Sequence, residues 1–230
     1  MKFPIITVLL FLLALSSLNC QNVNTSDYFE PPLVGRYYTW PSSGIGSPLL
    51  QAWQYGCIFL ITGDTITHKL INVDCSENTL LCIPEGKSIV AIDKNSITGF
   101  DIQNPEGKMR SFMKVGLKGL PGKDTAQLYL EVLHVGTISL YVYRKVAVYT
   151  RVSSVDNRSV AKYKYFNEPV YYIRIKAQPL KSVRVNKRSF VSAFEDDGPK
   201  IKEMLKDRRI KKIKSENQLL TAILAIDRNL

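Results

Sequence analysis

Apolar and polar residues alternate through most of the central part of the chain. In QLYLEVLH (127–134) the residues Leu128 and Leu130 share one face, and the alternation continues through TISLYVYRKVAVYT (137–150). Gly136 lies between these two stretches at a natural turn position. Strict alternation is typical of half-buried β-strands. The pattern therefore predicts a β-hairpin in the middle of the protein.

Further short segments rich in β-branched and aromatic residues are separated by turn signals that contain Gly, Pro, Asn or Asp. These segments are CIFLIT, ITHKLINV, TLLCI, KSIVAI, SITGFDIQ, KMRSFMKV, AKYKYFN, PVYYIRIK and KSVRV. Short strands at this spacing, with no helix between them, predict an antiparallel meander. A sheet of that length has to curl or be covered by other elements.

The pattern changes to a helical one near the C-terminus. Arg188 to Phe194 can form one or two helical turns, and Pro199 suits the first turn of a further helix. Ser215 followed by Gln218 is a capping box that opens a last helix. The fold class that follows is α+β and mainly β. We expect one domain, with a curved antiparallel meander in residues 44–186 and helices in residues 187–230 that flank or cap it.

The first twenty residues have the pattern of a signal peptide. Lys2 supplies a positive charge, Ile5 to Leu15 is nearly continuously apolar, and small polar residues follow. The apolar stretch is shorter than a membrane span, which needs about 20 residues. We therefore expect residues 1–20 to be removed on export to the periplasm or outer cell surface. The mature chain should then have no transmembrane span, and residues 21–43 form a poorly defined lead-in.

Cys20 is either the lipid-carrying residue of a lipoprotein or the last residue of a signal peptide that is removed. A lipoprotein signal has an aliphatic residue three positions before its cysteine and a small residue just before it, and here Ser17 and Asn19 occupy those positions. Ordinary cleavage after Cys20 would have the bulky Leu18 at the third position before the cut. The non-lipidated form is favoured, with lipidation of Cys20 as the alternative.

The charge is unevenly distributed along the chain. Residues 144–214 contain 20 Lys or Arg and 7 Asp or Glu, whereas residues 21–143 contain 9 and 11. A basic exported protein is expected to meet anionic envelope surfaces, anionic polymers or an acidic protein, and nucleic acid is not an expected partner. The candidate contact residues are the cations of one C-terminal run, with Ile210 and Ile213 between them facing inward. They are Arg208, Arg209, Lys211, Lys212 and Lys214.

Three cysteines remain if Cys20 is removed. Cys75 and Cys82 flank SENTLL, and a two-residue turn at Asn78 and Thr79 would bring them opposite each other, where they could form a disulfide. Cys57 has the apolar surroundings of a buried thiol. The residues leave open that all three are reduced thiols in the core. No C-x-x-C motif occurs and the two histidines stand apart in the sequence, so neither a metal site nor a cofactor is expected.

Catalytic motifs are not recognisable. GLKGLPGKDT resembles a phosphate-binding loop, but it has Leu117 where the first Gly is needed and Asp124 where Ser or Thr is needed. Asp196 and Asp197 are adjacent and are interpreted as helix-capping residues rather than a catalytic pair. The stretch YKYFNEPVYYIRIK interleaves tyrosines with cations, which suits either sugar stacking or half-exposed strands. Enzymatic activity is not expected.

Several stretches together resemble a group of uncharacterised exported proteins of Bacteroidota. They are GSPLL (46–50) with WQYG (53–56), ITHKLINVDCSENTLLCI, LEVLHVGTISLYVYRK, PVYYIRI and LLTAILAIDRNL. The resemblance runs from about residue 44 to the end of the chain and implies an exported, mainly β protein without implying an active site. The expected function is non-enzymatic interaction or scaffolding in the cell envelope. The alternatives are a carrier of an apolar ligand within a curved sheet and, less favoured, a hydrolase.

Overall fold

The computed structural model describes residues 34–39, 44–84, 88–120, 123–155 and 158–227. The predicted signal peptide with Cys20 lies outside these residues, as does most of the lead-in 21–43. Residues 34–39 belong to that lead-in, and they are more ordered than expected because Gly35–Tyr37 forms a strand.

Within the described residues the chain forms fourteen strands and three α-helices. The strands are β1 (Gly35–Tyr37), β2 (Gly44–Ile45), β3 (Gln54–Leu60), β4 (Thr65–Asp74), β5 (Thr79–Ile83), β6 (Val90–Ile92), β7 (Ile97–Gln103), β8 (Met109–Leu120), β9 (Lys123–His134), β10 (Ile138–Tyr143), β11 (Val146–Val155), β12 (Arg158–Asn167), β13 (Val170–Ile175) and β14 (Lys181–Val183). The helices are α1 (Lys187–Ser192), α2 (Gly198–Asp207) and α3 (Glu216–Asp227). Short 3-10 turns occur at Lys94–Ser96 and Glu195–Asp197.

Most strands join one large antiparallel sheet with the order β1-β6-β5-β4-β3-β7-β8-β9-β10-β13-β14. This sheet is open, and the α-helices follow it in the chain. The predicted fold class, α+β and mainly β with a large antiparallel sheet, is confirmed. The order is not that of a simple meander, because the chain crosses from β6 to β7 past β5, β4 and β3.

A second, three-stranded sheet has the order β11-β12-β2, in which β2 is parallel to β12. The continuous alternation through residues 137–150 predicts one uninterrupted strand pattern, but β10 ends at Tyr143 and β11 begins at Val146. Between them, the Arg144 side chain turns to bind Glu131 and Glu216. Beyond this point β11 and β12 lie outside the large sheet and form a separate hairpin, which we call the ribbon.

The large sheet curls so strongly that the β4–β5 turn reaches β9. Asn78 in that turn donates from Nδ2 to the Tyr129 carbonyl oxygen at 3.0 Å, and its Oδ1 accepts from the Tyr129 N–H at 2.7 Å. Both polar atoms of the Asn78 side chain are therefore hydrogen-bonded although the residue is buried. The concave side of the curl is packed with side chains from β3 to β9, including Ile58, Phe100 and Phe112.

The C-terminal helices cover one end of the sheet. Their buried side chains pack against Leu140 and Ile173 on the strands β10 and β13. The predicted cap of the last helix forms, because the Gln218 N–H donates to Ser215 Oγ at 3.3 Å. Gln218 Oε1 accepts from the Lys214 N–H, one residue earlier than in the standard capping box. The side chain of Asp197 makes no capping hydrogen bond at the start of α2, so its predicted capping role is wrong in that respect.

Candidate functional site

Residues 208–214, which connect α2 to α3 and which we call the basic linker, hold the predicted basic run. Ile213 is 3 % exposed, and Ile210 packs half-buried against the same cluster that unites the helices with the sheet. The five cations of the run are all exposed. No ion pair of theirs occurs among the residues that the structure describes. The linker therefore has an apolar side that is fixed to the core and a charged side in solvent.

Arg209 has an unusual backbone conformation for an arginine. Its φ is 57°, in the left-handed region. The Arg209 N–H donates to the Lys206 carbonyl at 2.9 Å, and the Ile210 N–H reaches back to the Leu205 carbonyl at 2.8 Å. These bonds terminate α2 in the manner of a Schellman cap, whose left-handed position is most often a glycine.

One cation from another element holds the basic linker in place. Lys187, in α1, donates from Nζ to the Ile210 carbonyl oxygen at 2.7 Å. This lysine satisfies a backbone acceptor within the fold, whereas the five linker cations extend away from it. Lys187 thus has a structural role, whereas the side chains of the linker cations are exposed.

A network of arginines and glutamates lies on the concave side of the sheet, with the buried Glu131 at its centre and partly buried side chains around it. Arg110 in β8 binds Glu131 in β9 through two parallel hydrogen bonds of 2.8 Å, from Nε and from Nη2. Arg144 binds Glu131 through Nε and Glu216 through both terminal nitrogens. Because Glu216 is the first residue of α3, the network joins the last helix to the centre of the sheet.

The electrostatics of this network favour its charged state. Burial alone would raise the pKa of Glu131, but the hydrogen bonds and charges of Arg110 and Arg144 outweigh it and hold that pKa below its ordinary value. Burial would lower the pKa of Arg144, yet Glu216 and Glu131 raise it. The Tyr171 hydroxyl, buried next to Glu216, has its pKa raised to about 12. Each charge is therefore compensated within the network.

A cavity of about 450 Å³ opens beside the network. Its lining includes Arg110, Arg144, Lys145, Ser47 and Asn167. The two arginines use their donors on Glu131, Glu216 and Gln51, and Lys145 lies 3.4 Å from Glu168. The cavity walls thus combine apolar side chains with three cations, Arg110, Arg144 and Lys145, each of which is already paired with a glutamate.

The predicted Cys75–Cys82 disulfide is not formed, and the strand register gives the reason. Cys82 pairs with Ile71 across β4 and β5, whereas Cys75 lies in the turn beyond the closing pair of Asp74 and Thr79. The connection contains four residues rather than the expected two. Both cysteines are buried, and both carry thiols, as does the buried Cys57.

The thiol of Cys75 is poorly suited to nucleophilic chemistry. Burial, together with the charge of Asp74, raises its pKa to about 12. The reactive form of cysteine is the thiolate, so a raised pKa lowers reactivity at neutral pH. Its Sγ lies 3.8 Å from the Val73 carbonyl oxygen.

The tyrosine-rich stretch that suggested sugar stacking is divided between two environments. Tyr171 and Tyr172 are buried in β13, while Tyr163 and Tyr165 lie on the ribbon. These four tyrosines therefore do not form one exposed surface. The aromatic residues that are exposed on the ribbon are Tyr149 and Phe166, which meet edge to face at 5.2 Å.

His134 has a carboxylate partner that its position in the sequence does not suggest. Its Nε2 lies 3.0 Å from Asp227 Oδ2 at the end of α3. Within the described ranges no group of three His, Cys, Asp or Glu side chains is arranged to hold a metal ion. The pair joins a strand end to the last helix, which is a structural arrangement.

The network around Glu131 and the ribbon surface are the features that the sequence does not reveal. Arg110 and Arg144 lie 21 and 13 positions from Glu131, and Glu216 lies 72 positions from Arg144. No local pattern connects residues so far apart. Arg144 alone has a sequence signal, since it takes a position on the apolar side of the alternation in residues 137–150.

No protein family model, no curated protein and no solved structure matches this chain. None of the helices in the described part of the chain is both long and apolar enough to cross a membrane. The function therefore has to be inferred from the chain's own residues.

Proposed function

We propose that this chain is a non-enzymatic binding protein of the cell envelope that associates with an anionic surface or polymer through its basic linker. The observation that carries the proposal is Arg209. It is an exposed arginine at a left-handed position, with φ of 57°, where glycine is the favoured residue.

A non-glycine residue in this conformation costs stability, on the order of 1 kcal/mol. The Arg209 side chain is exposed, and no ion pair within the described residues offsets that cost. Strained residues of this kind cluster at functional sites. The other described non-glycine residues with a positive φ are His68, Asn78, Lys176 and Glu195, and Arg209 is the one that lies in the basic linker. Arg209 therefore supports a role in binding rather than in folding.

The surrounding charge supports the same conclusion. The linker cations extend from an apolar base formed by Ile210 and Ile213, so several positive charges share one exposed side. Like charges held close together repel each other, and an anionic partner relieves that repulsion. Such attraction extends only about 8 Å at physiological ionic strength, so binding should depend strongly on salt.

The two alternative functions have weaker support. A carrier needs space between the sheet and the helices, but that region is filled by fully buried side chains such as Phe190, Ile201 and Leu219. A hydrolase needs polar groups that converge on a substrate. The convergent polar groups here, Arg110, Glu131 and Arg144, bind each other.

The test is a triple variant, Arg209→Gln, Lys211→Gln and Lys212→Gln, assayed for binding to vesicles that contain an anionic lipid. We expect at least a tenfold weaker association at low salt, and we expect the melting temperature to stay within a few degrees of the wild type. Neutral vesicles should bind neither protein. Arg209→Gly alone should keep or raise the melting temperature and weaken binding.

A matched control removes three cations elsewhere, with Arg151, Lys162 and Lys164 on the ribbon changed to Gln. Because the net charge falls by the same amount, this variant separates the linker from a general charge effect. Equal weakening in both triple variants would mean that net charge alone drives binding. Wild-type binding by the linker variant at low salt would refute the proposal.

Export to the envelope rests on residues 1–20 and on the resemblance to exported proteins. Fractionation of native cells and intact-mass measurement test it. We expect a mature chain that begins near Gln21 in the soluble exported fraction. A mass increase matching acyl chains on Cys20 would instead indicate a lipid-anchored protein.

A further inference from the structure

The outer edge of the ribbon is a long strand with an unpaired side. The strand β11 pairs with β12 over its whole length, without a register shift, and among the described strands none pairs with its other side. Edge strands are normally protected by short length, proline, bulges or several charges. Residues 146–155 contain no proline and one charged residue, Arg151.

The hydrogen bond at Val146, the first residue of β11, shows which backbone N–H and C=O groups of this strand point away from β12. The Val146 N–H points away from β12 and donates to the Cys75 carbonyl at 3.1 Å. In an antiparallel ladder every second residue directs its N–H and C=O to the same side. The corresponding groups of Val148, Thr150 and Val152 therefore point toward the free edge.

The two faces of the ribbon have different chemistry. Val148 and Val152 are 42 % and 66 % exposed and lie on the same face as Thr150. The opposite face carries Tyr149 and Arg151, because side chains alternate along a strand. One face next to the free edge is thus apolar, and the other is cationic and aromatic.

The cationic face is compensated at its base, where Glu168 lies 3.4 Å from Lys145 Nζ and accepts a hydrogen bond from the Tyr149 hydroxyl at 3.4 Å. Farther along the ribbon, no ion pair of Arg151, Lys162 or Lys164 occurs among the described residues. Arg151 is directly opposite Lys162 in the register, and Tyr149 is opposite Lys164. Like charges opposite each other across strands are destabilising. Lys164 Nζ lies 4.6 Å from the centre of the Phe166 ring, which is a cation–π contact rather than an ion pair.

We propose that the free edge of β11 accepts an extended acidic segment of a partner protein as an additional strand. Strand addition pairs the exposed N–H and C=O groups of an edge, which a carbohydrate or a membrane surface cannot do in register. The segment should alternate, with carboxylates on the face of Arg151 and Lys162 and apolar side chains on the face of Val148 and Val152. A second copy of this chain is disfavoured, since pairing β11 with itself would bring like charges together.

This proposal concerns a different element from the basic linker and does not depend on it. The probe is a ten-residue peptide of alternating Glu and Val, and the control peptide alternates Lys and Val. With the full chain, we expect fluorescence anisotropy to show at least tenfold tighter binding of the Glu/Val peptide. The linker variant Arg209→Gln, Lys211→Gln, Lys212→Gln should still bind it.

The decisive variant is Thr150→Pro, compared with Thr150→Ala. Proline removes an N–H that points to the free edge, so it should leave the pairing with β12 intact. We expect at least tenfold weaker peptide binding for Thr150→Pro and no more than a twofold change for Thr150→Ala. Wild-type affinity in Thr150→Pro, or no binding of the peptide to the wild type at millimolar concentration and low salt, would overturn the proposal.

Hydrogen exchange gives a readout that needs no variant. Peptide binding should protect the amides of Val148, Thr150 and Val152, whereas those of Tyr149 and Arg151, which face β12, should change little. Equal protection of both sets would indicate general stabilisation and overturn strand addition. Concentration-dependent dimerisation of the wild type that is lost in Thr150→Pro would assign the edge to a second copy and also overturn the proposal.

Discussion

The carboxylate of Asp227 occupies the space that a side chain would need at Gly136. A Cβ atom built on Gly136 would lie 2.0 Å from Asp227 Oδ2. The carboxylate is held there because it accepts hydrogen bonds from the Ile138 N–H at 2.6 Å and from His134 Nε2 at 3.0 Å. The end of α3 is thereby attached to the turn between β9 and β10.

Gly136→Ala should destabilise the protein by displacing this carboxylate. The expected cost is about 1–3 kcal/mol, the range for a buried polar group that loses its partner. Chemical denaturation of the two proteins measures it. The loss should appear as a lower midpoint without a change in slope, because the unfolded state is not altered greatly.

Asp227→Ala is the control for this prediction. In that background the added methyl group no longer meets the carboxylate, so Gly136→Ala should cost much less than in the wild type. A double-mutant cycle measures the difference. Additive effects of the two changes would show that the contact between residues 136 and 227 is not the cause.

Glu131→Gln should be strongly destabilising. The change removes the charge that Arg110 and Arg144 share, and breaking a buried ion pair costs about 3–5 kcal/mol. Glu168→Gln is the matched control, since the Glu168–Lys145 pair has side chains that are 43 % and 44 % exposed. Exposed pairs contribute about 0–1 kcal/mol. Similar free energies of unfolding for the two variants would contradict the structural role of the network.

The same glutamate should make stability fall in acid. The pKa of Glu131 is lowered from its ordinary value of 4.5, so the folded state favours the ionised form. Its contribution is therefore complete above about pH 4.5 and is lost as pH falls through the lowered pKa. The difference in free energy of unfolding between the wild type and Glu131→Gln should shrink below about pH 4.5. A difference that stays constant down to pH 3 would contradict this assignment.

Local patterns predicted much of the fold. Alternation in residues 127–134 and the Ser215–Gln218 cap are properties of neighbouring residues, and both are found in the structure. The placement of Ile213 against the core likewise follows from its spacing in the basic linker. These features depend on the spacing of apolar residues and on hydrogen bonds between residues that are close in the sequence, so local sequence patterns predict them.

Long-range geometry could not be predicted in the same way. The four-residue turn after Asp74 is held locally by the Asp74 carboxylate, which accepts from the Ser76 and Glu77 N–H groups. It is also anchored by the contact of Asn78 with Tyr129, 51 positions away. This turn separates Cys75 from Cys82. The ribbon leaves the large sheet just after Arg144, whose side chain binds Glu216, 72 positions away. The contacts Asn78–Tyr129 and Arg144–Glu216 join residues that are far apart in the sequence and meet only when the chain is folded.

The cysteines should behave as three buried thiols. Alkylation of the denatured, unreduced protein should label Cys57, Cys75 and Cys82, as mapped by peptide mass spectrometry. In the native state the labelling should be slow, since all three are buried and burial raises the pKa of Cys75 to about 12. Reduction before alkylation should add no further label at these positions. An unlabelled pair that appears only after reduction would show a disulfide.

Within the basic linker, stability should depend on the buried Ile213 and not on the exposed cations. Ile213 is 3 % exposed and packs in the cluster of helices and strands, so Ile213→Ala should cost about 2–5 kcal/mol. Lys212→Ala, one residue earlier and exposed, should change the free energy of unfolding by no more than about 0.5 kcal/mol. Denaturation curves of the two variants measure this contrast.

For binding to anionic vesicles, the two variants Ile213→Ala and Lys212→Ala should rank in the opposite order to their effects on stability. At a temperature where both variants are folded, Lys212→Ala should weaken association more than Ile213→Ala, because only the former removes a charge. If Ile213→Ala costs less than about 1 kcal/mol, residue 213 does not hold the linker to the core. If it instead abolishes binding while the protein remains folded, the position of the cations matters more than their number, and the contact has a defined geometry rather than being a diffuse electrostatic one.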